Sequence, residues 1–279
     1  MKNAIPDNIA PLIESGLLLT GQVLLCPIAH IEALITSEGI TIDGVSTMDP
    51  TEAMRHAITD RSDHDNGWIF WRLFDQARGF AKTLEHVRVE WNAKQKPSGI
   101  RTSQTHPLRI NNLVVPDVPG RVGLTFCPGK KGDALYGGAW DRNLGLDLAV
   151  INGWEAAAVV TVMEAEEFSL LGVPELPLEM KSQPFRWFHL QVRDSDIPDQ
   201  RFEQAWPQVH TELAKILHAG GNIVIHCRGG LGRTGMVAAL LLVEQGISPD
   251  EAVLMVRSAR PGAIETWQQE LYVRDLGKR

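Results

Sequence analysis

The stretch Asn222 to Gly246, NIVIHCRGGLGRTGMVAALLLVEQG, constrains the architecture of this chain more than any other. Asn222-Ile223-Val224-Ile225 is a short, β-branched apolar run after Gly220-Gly221, the pattern of a fully buried strand. From Met236 to Val243 every residue is apolar, and Gly246 follows, so this run reads as a helix buried on all sides. A buried strand running through glycines straight into a buried helix fits a layered α/β domain, in which helices cover both faces of a sheet.

The connecting loop carries chemistry. Cys227 and Arg233 flank Arg228, Gly229, Gly230, Leu231 and Gly232. Three of these lack a Cβ, so the backbone amides of residues 228–232 can turn inward on one small anion at the N-terminus of the following helix. Arg233 offers a planar fork that holds two oxygens of a tetrahedral anion. Cys227 lies in the same positive setting, which suits a thiolate nucleophile. Thr234 has a hydroxyl that can donate to the sulfur, and His226 is expected to orient the loop through hydrogen bonds rather than act as a base. The competing reading of the same residues is a small buried cysteine beside a glycine turn.

Hydrolysis of a phosphate ester through a cysteine also needs an acid for the departing oxygen. Residues 186–192 read as a strand, and Arg193-Asp194-Ser195-Asp196-Ile197-Pro198-Asp199 follows them. Three carboxylates compete there for one role.

The string His-Cys-x5-Arg-Thr-Gly resembles the signature of the cysteine-dependent protein phosphatases of dual-specificity type. The resemblance spans about residues 101–276. Arg121 to Lys130 (RVGLTFCPGK), Arg142 to Asp147 (RNLGLD) and Arg260 to Gln269 (RPGAIETWQQ) are similar to segments of the cyclin-dependent kinase-associated phosphatase group, here in a bacterial form. It implies a fold with a mainly parallel central sheet flanked by helices, and phosphomonoester hydrolysis through a cysteinyl-phosphate intermediate without metal or other cofactor. It implies Asp194 as the acid, with Asp196 as the runner-up, and Asp199 as the cap of the next helix. It also implies that Gln269, with Thr266 nearby, helps place the hydrolytic water. Cys127 has two readings: a buried spacer, or a partner that traps an oxidised Cys227 as a disulfide.

The substrate expected from the resemblance is a phosphorylated protein or a small phosphomonoester, and a phosphate-recognising binding module is the alternative. The two tyrosines, Tyr136 and Tyr272, do not form the recognition loop of strictly tyrosine-specific enzymes, so a shallower dual-specificity pocket is favoured. Arg228 is the only basic residue among loop positions 228–232, which lowers an inositol-phosphate reading, although Lys130 and Lys131 can add charge from the side.

A net charge of −7 argues against nucleic acid and anionic membrane as partners. No run of about 18 apolar residues occurs, and MKNAIPDNIAPLIESG lacks the pattern of a signal peptide, so the cytoplasm is the expected location. Along the catalytic region, strands are expected at 121–127, 157–163, 186–192 and 222–227, alternating with helices. Ser248-Pro249-Asp250-Glu251 has the form of a helix start.

Residues 1–95 are expected to form a mostly helical extension that shapes substrate access or recruits a protein. The main reason is the apolar stripe Phe70, Phe74, Ala77, Ala81, Leu84, Val87 and Trp91. His56 and Asp63-His64-Asp65 lack paired ligand spacing and read as solvated residues rather than a metal site. Residues 96–107 are polar and read as a linker, with the catalytic domain expected over 108–279.

Overall fold

The computed structural model describes residues 6–26, 31–58, 66–75, 80–94, 99–133 and 138–276. Two compact units result, residues 1–98 and 99–279. The first contains, in order, α1 (Ala10–Glu14), β1 (Val23–Cys26), β2 (Ile31–Thr36), β3 (Gly39–Ile42), β4 (Val45–Thr47), α2 (Pro50–Ala57), α3 (Gly67–Phe70), β5 (Arg72–Asp75), β6 (Phe80–Thr83) and α4 (Leu84–Lys94). Its strands form an antiparallel six-stranded sheet in the order β4-β3-β2-β1-β5-β6.

This corrects the expectation of a mostly helical extension over residues 1–95. Asp43-Gly44 joins β3 to β4 with both residues at positive φ, 49° and 82°, and Ile42 stands opposite Val45. Such a two-residue hairpin turn matches the right-handed twist of its strands, and Asp-Gly between alternating apolar residues is its sequence signal. The apolar stripe from Phe70 to Trp91 is divided among α3, β5, β6 and α4, because Arg72 pairs with both Leu25 and Thr83 and draws the middle of the segment into the sheet. Ala77 and Asp63-His64-Asp65 lie outside the described residues. Leu24, Ile35, Ile40, Trp71 and Leu84 are buried in a core belonging to this unit.

The second unit runs through β7 (Ile100–Arg101), β8 (Asn111–Val114), β9 (Arg121–Phe126), β10 (Lys131–Asp133), β11 (Ala139–Asp141), α5 (Leu144–Gly153), β12 (Ala156–Thr161), α6 (Glu166–Leu170), α7 (Leu176–Lys181), β13 (Arg186–His189), α8 (Gln200–His218), β14 (Asn222–Cys227), α9 (Gly232–Glu244), α10 (Pro249–Ala259) and α11 (Trp267–Leu276). Of the expected linker 96–107, residues 96–98 lie outside the described residues, whereas β7 pairs with β11 and Ser103 Oγ accepts Asn143 N–H at 2.9 Å. That part of the segment folds with the second unit.

The central sheet has the order β13-β12-β14-β9-β8. Four of its strands are parallel, and β8 lies antiparallel on the edge. Every residue of β14 is buried, as its apolar run requires. Gly232 to Leu242 are likewise buried in α9, which packs on β14 and β9 while α10 and α11 pack on α9. Gly235 makes this packing possible: a Cβ there would lie 2.8 Å from Ala263 Cβ and Ile264 N. Asp199 caps α8 by accepting Arg201 N–H and Phe202 N–H, and Ser248 caps α10 by accepting Glu251 N–H. The strand expected over 186–192 ends at His189.

A buried ion pair ties the turn after β9 to α5. Arg142 donates Nε and Nη2 to Asp147 Oδ2 and Oδ1, both at 2.7 Å, and Nη1 to His106 O at 2.7 Å. Asp147 Oδ2 also accepts Gly129 N–H at 2.9 Å. Both side chains are fully covered, so removing one partner strands a charge away from water. Asp147→Ala should therefore lower stability by about 3–5 kcal/mol, read as a fall in the urea midpoint.

Candidate active site

Cys227 is the last residue of β14, and α9 begins at Gly232, so the loop between them leaves the C-terminal edge of the sheet. Strand pairing fixes its root: Cys227 lies beside Phe126, and His226 between Thr125 and Thr161. Cys227 is buried, and its Sγ accepts Gly230 N–H at 3.2 Å. Gly230 has φ 71°, and a Cβ there would stand 2.2 Å from Thr125 O, so glycine alone lets the loop curl back over β9.

The carbonyls of the loop are turned onto cations and a backbone donor. Arg228 O accepts Lys130 Nζ at 3.3 Å and Cys127 N–H at 3.4 Å. Arg260 donates Nη2 to Gly229 O at 3.2 Å and Nε to Gly230 O, and is itself held by Asn111 Oδ1 at 2.6 Å. Peptide dipoles oriented in this way present N–H groups on the opposite side, which makes the concavity suited to an anion. Lys130 sits 4.3 Å from the Phe126 ring centre and 4.6 Å from that of Trp140, and burial pulls its ammonium down to about 8. Burial also holds Arg260 below its ordinary value, whereas it pushes the Cys127 thiol well above the usual range, so that Cys127 is protonated at neutral pH.

Arg233 is buried. Its Nη1 donates to Glu167 Oε2 at 2.5 Å and to Val192 O at 3.0 Å, and its Nη2 to Glu167 Oε1 at 2.9 Å and Asp194 Oδ1 at 2.7 Å. Burial is the strongest single influence and opposes the charge, but the hydrogen bonds to Glu167 together with the surrounding acidic groups outweigh it and hold the guanidinium protonated. Among the described residues Nε has no partner and is buried. One edge of the fork is thus clamped by Glu167.

The other predicted residues are distributed around this centre. His226 Nε2 is 2.8 Å from Thr161 Oγ1, which accepts Trp187 Nε1–H at 2.8 Å, and burial pushes the imidazole down to about 3, so the ring is neutral. Asp194 faces both Arg233 and, at 3.6 Å, Arg228. Asp196 instead accepts Ile197 N–H on Oδ1 at 2.9 Å, while its carbonyl accepts Gln269 Nε2–H at 3.1 Å. Gln269 is buried beside Gly232, and Thr266 Oγ1 accepts its N–H at 3.1 Å. Thr234 Oγ1 is buried without a hydrogen-bond partner among the described residues. Tyr272 bonds to Glu203 on α8, and Tyr136 lies outside the described residues.

Three residues of this site were not assigned a role from the sequence. Glu167 stands in the run Glu164-Ala165-Glu166-Glu167, where nothing local distinguishes the carboxylate that reaches Arg233. Arg260 and Glu265 fall in the segment RPGAIETWQQ, but their action on the loop depends on α10 and α11 packing against α9. Arg257 holds that segment in place, donating Nε to Ala263 O and Nη2 to Ile264 O, both at 3.1 Å, with Glu270 as its buried counter-ion at 2.7 Å. No group of three or more His, Cys, Asp or Glu side chains suited to a metal ion occurs among the described residues. Nor is any described helix long and apolar enough to cross a membrane.

Residues 147–273 match the family model described as Swiss Army Knife protein, DSP-PTPase phosphatase domain. The chain is 44% identical over 59 residues to protein tyrosine phosphatase domain-containing protein 1 of Danio rerio, a match covering 21% of this chain and 8% of that protein. It is 31% identical over 137 residues to cyclin-dependent kinase inhibitor 3 of Mus musculus, covering 48% of this chain and 64% of that one. It therefore spans less than two thirds of either relative. Among solved structures, kinase associated phosphatase with serine replacing its catalytic site cysteine aligns with a TM-score of 0.55 and 26% identity, covering 62% of this chain and 95% of that chain. The second unit has the fold of the dual-specificity and tyrosine phosphatases, and residues 147–273 of it are similar in sequence to a dual-specificity phosphatase domain.

Proposed function

We propose that the chain hydrolyses phosphomonoesters of phosphorylated proteins through a cysteinyl-phosphate intermediate. The observation that carries this reading is the convergence on one loop of Cys227 Sγ, the Gly230 and Gly232 amides, the clamped Arg233 guanidinium and the Asp194 carboxylate. In the first step Cys227 Sγ attacks phosphorus, and the bond from phosphorus to the ester oxygen breaks. That oxygen leaves with a proton from Asp194, while Arg233 Nε and the amides carry the charge of the transition state. In the second step Asp194 takes a proton from water, water oxygen attacks phosphorus, and the sulfur–phosphorus bond breaks to return the thiolate and free phosphate.

Asp194 is favoured over Asp196 because it already faces the arginine that would hold the phosphoryl group, whereas the Asp196 carboxylate closes a local turn. Entry of a phosphoryl group displaces Asp194 from Arg233 and leaves it beside the ester oxygen. His226, neutral and bonded to Thr161, positions the root of the loop and takes no part in proton transfer. Gln269, anchored to the acid loop through Asp196 O, links that loop to the cradle and lies where the second-step water would enter.

Hydrolysis of p-nitrophenyl phosphate under reducing conditions tests the reading. Cys227→Ser should abolish turnover, and orthovanadate should block the wild type. Asp194→Asn should lose about 10²–10⁴-fold on a phosphopeptide, whose leaving group needs the acid, and much less on p-nitrophenyl phosphate. Wild type that binds phosphate but does not turn over either substrate would point to a recognition module instead.

Glu167→Gln removes the charged clamp from Arg233 without touching the reacting atoms. Its kcat/KM should fall by roughly 10–100-fold, with the pH profile unchanged in shape, since a misplaced positioning group costs up to about 10²-fold.

A further inference from the structure

One backbone donor of the cradle is already occupied by an anion of the chain itself. Gly232 N–H, at the first position of α9, is donated to Glu265 Oε2 at 2.9 Å. The preceding residue, Leu231, provides no side-chain cap, and Ile264 N–H meets Leu231 O at 3.4 Å, which holds the Glu265 segment against the loop. A Cβ on Gly232 would lie 2.8 Å from Glu265 Oε2, so the close approach of this carboxylate depends on glycine at that position. Meanwhile Asp194 occupies Arg233 Nη2. The cradle thus has carboxylate oxygens on two donors that a phosphoryl group would use.

The two carboxylates differ in their tethers. Asp194 lies on the acid loop and has a chemical role once displaced. Glu265 precedes α11 in a segment braced by Arg257, and Gly232 N–H is the loop donor it holds. A phosphoryl oxygen can reach that amide only after Glu265 has swung off it, and when inorganic phosphate leaves, the carboxylate is positioned to return.

We propose that Glu265 is an internal competitor for the phosphate cradle. Its carboxylate holds the Gly232 amide in the empty site, yields it to an incoming phosphoryl group, and reclaims it to help expel inorganic phosphate. The role rests on the phosphatase reading above and deepens it, since it concerns the release of product from the same site. A charge-assisted hydrogen bond to a backbone amide is among the stronger polar contacts, so competition from one weakens binding of an external anion measurably.

Isothermal titration of inorganic phosphate into the reduced full-length chain decides the matter, with wild type compared to Glu265→Ala and Glu265→Gln. The proposal requires Glu265→Ala to bind phosphate about five- to tenfold more tightly, because the competing charged hydrogen bond is gone. Phosphate should become a correspondingly stronger product inhibitor of p-nitrophenyl phosphate hydrolysis. Glu265→Gln, equal in shape but uncharged, should tighten binding by a smaller factor, and it decides with the same sign if Glu265→Ala melts below the titration temperature. Unchanged or weaker phosphate binding in the variants would show that Glu265 is simply a helix cap, and would overturn the proposal while leaving the phosphatase reading intact. A wild-type chain that neither binds phosphate nor hydrolyses the ester would remove both.

Discussion

A guanidinium taken out of water must find partners for its donors, and the two terminal nitrogens of Arg233 meet that demand in a way that ties the second unit together. Glu167 answers one edge with both carboxylate oxygens, Val192 supplies a carbonyl from the chain beyond β13, and Asp194 supplies a carboxylate from the acid loop. These groups come from two segments, α6 after β12 and the connection after β13, each reaching the arginine from the C-terminal side of the same sheet. The buried charge therefore does more than prepare an anion site. It joins α6 and the connection after β13 to the start of α9, and removing a partner would leave a buried charge uncompensated.

Orientation of the loop follows from the same logic applied to peptide dipoles. Lys130 and Arg260 draw the carbonyls of Arg228, Gly229 and Gly230 outward, and glycine at 230 accepts the left-handed backbone that this direction imposes. Basic side chains that never touch the anion would in this way shape the surface that receives it. Lys130, packed between Phe126 and Trp140, is costly to keep charged, and burial shows in its depressed ammonium value near 8. Such a residue belongs to the loop's framework, which explains why its charge is spent on a carbonyl instead of on solvent.

What could be read from the sequence was whatever is local in sequence. The strand, the glycine loop, the helix after it, the Asp199 cap and the Ser248 cap all depend on neighbours within a few positions, and each stands where the pattern placed it. Glu167 and Arg260 were not legible, because their importance arises from contacts across 66 and about 30 positions of chain. In the first unit the difficulty was of another kind. Apolar residues from Phe70 to Trp91 fit a helical period, yet Arg72 finds partners in Leu25 on one side and Thr83 on the other, and sheet pairing prevails over a period that happened to fit. The Asp43-Gly44 turn was a local signal for strands, and it outranks a stripe broken by several polar residues.

The proposed anion cradle forms only when β9, β12, β14, α6, the connection after β13 and the segment before α11 have all come together, so an unfolded chain has nothing comparable to offer a phosphate ion. Any anion that fills the cradle is consequently a ligand of the native state alone, and by mass action it shifts the folding equilibrium. At a hundredfold excess over its dissociation constant the shift is about 2.7 kcal/mol, a sizeable fraction of the total stability of a domain. The amount of chain that is folded and the amount of phosphate around it are then coupled quantities, in dilute buffer as in a crowded cell.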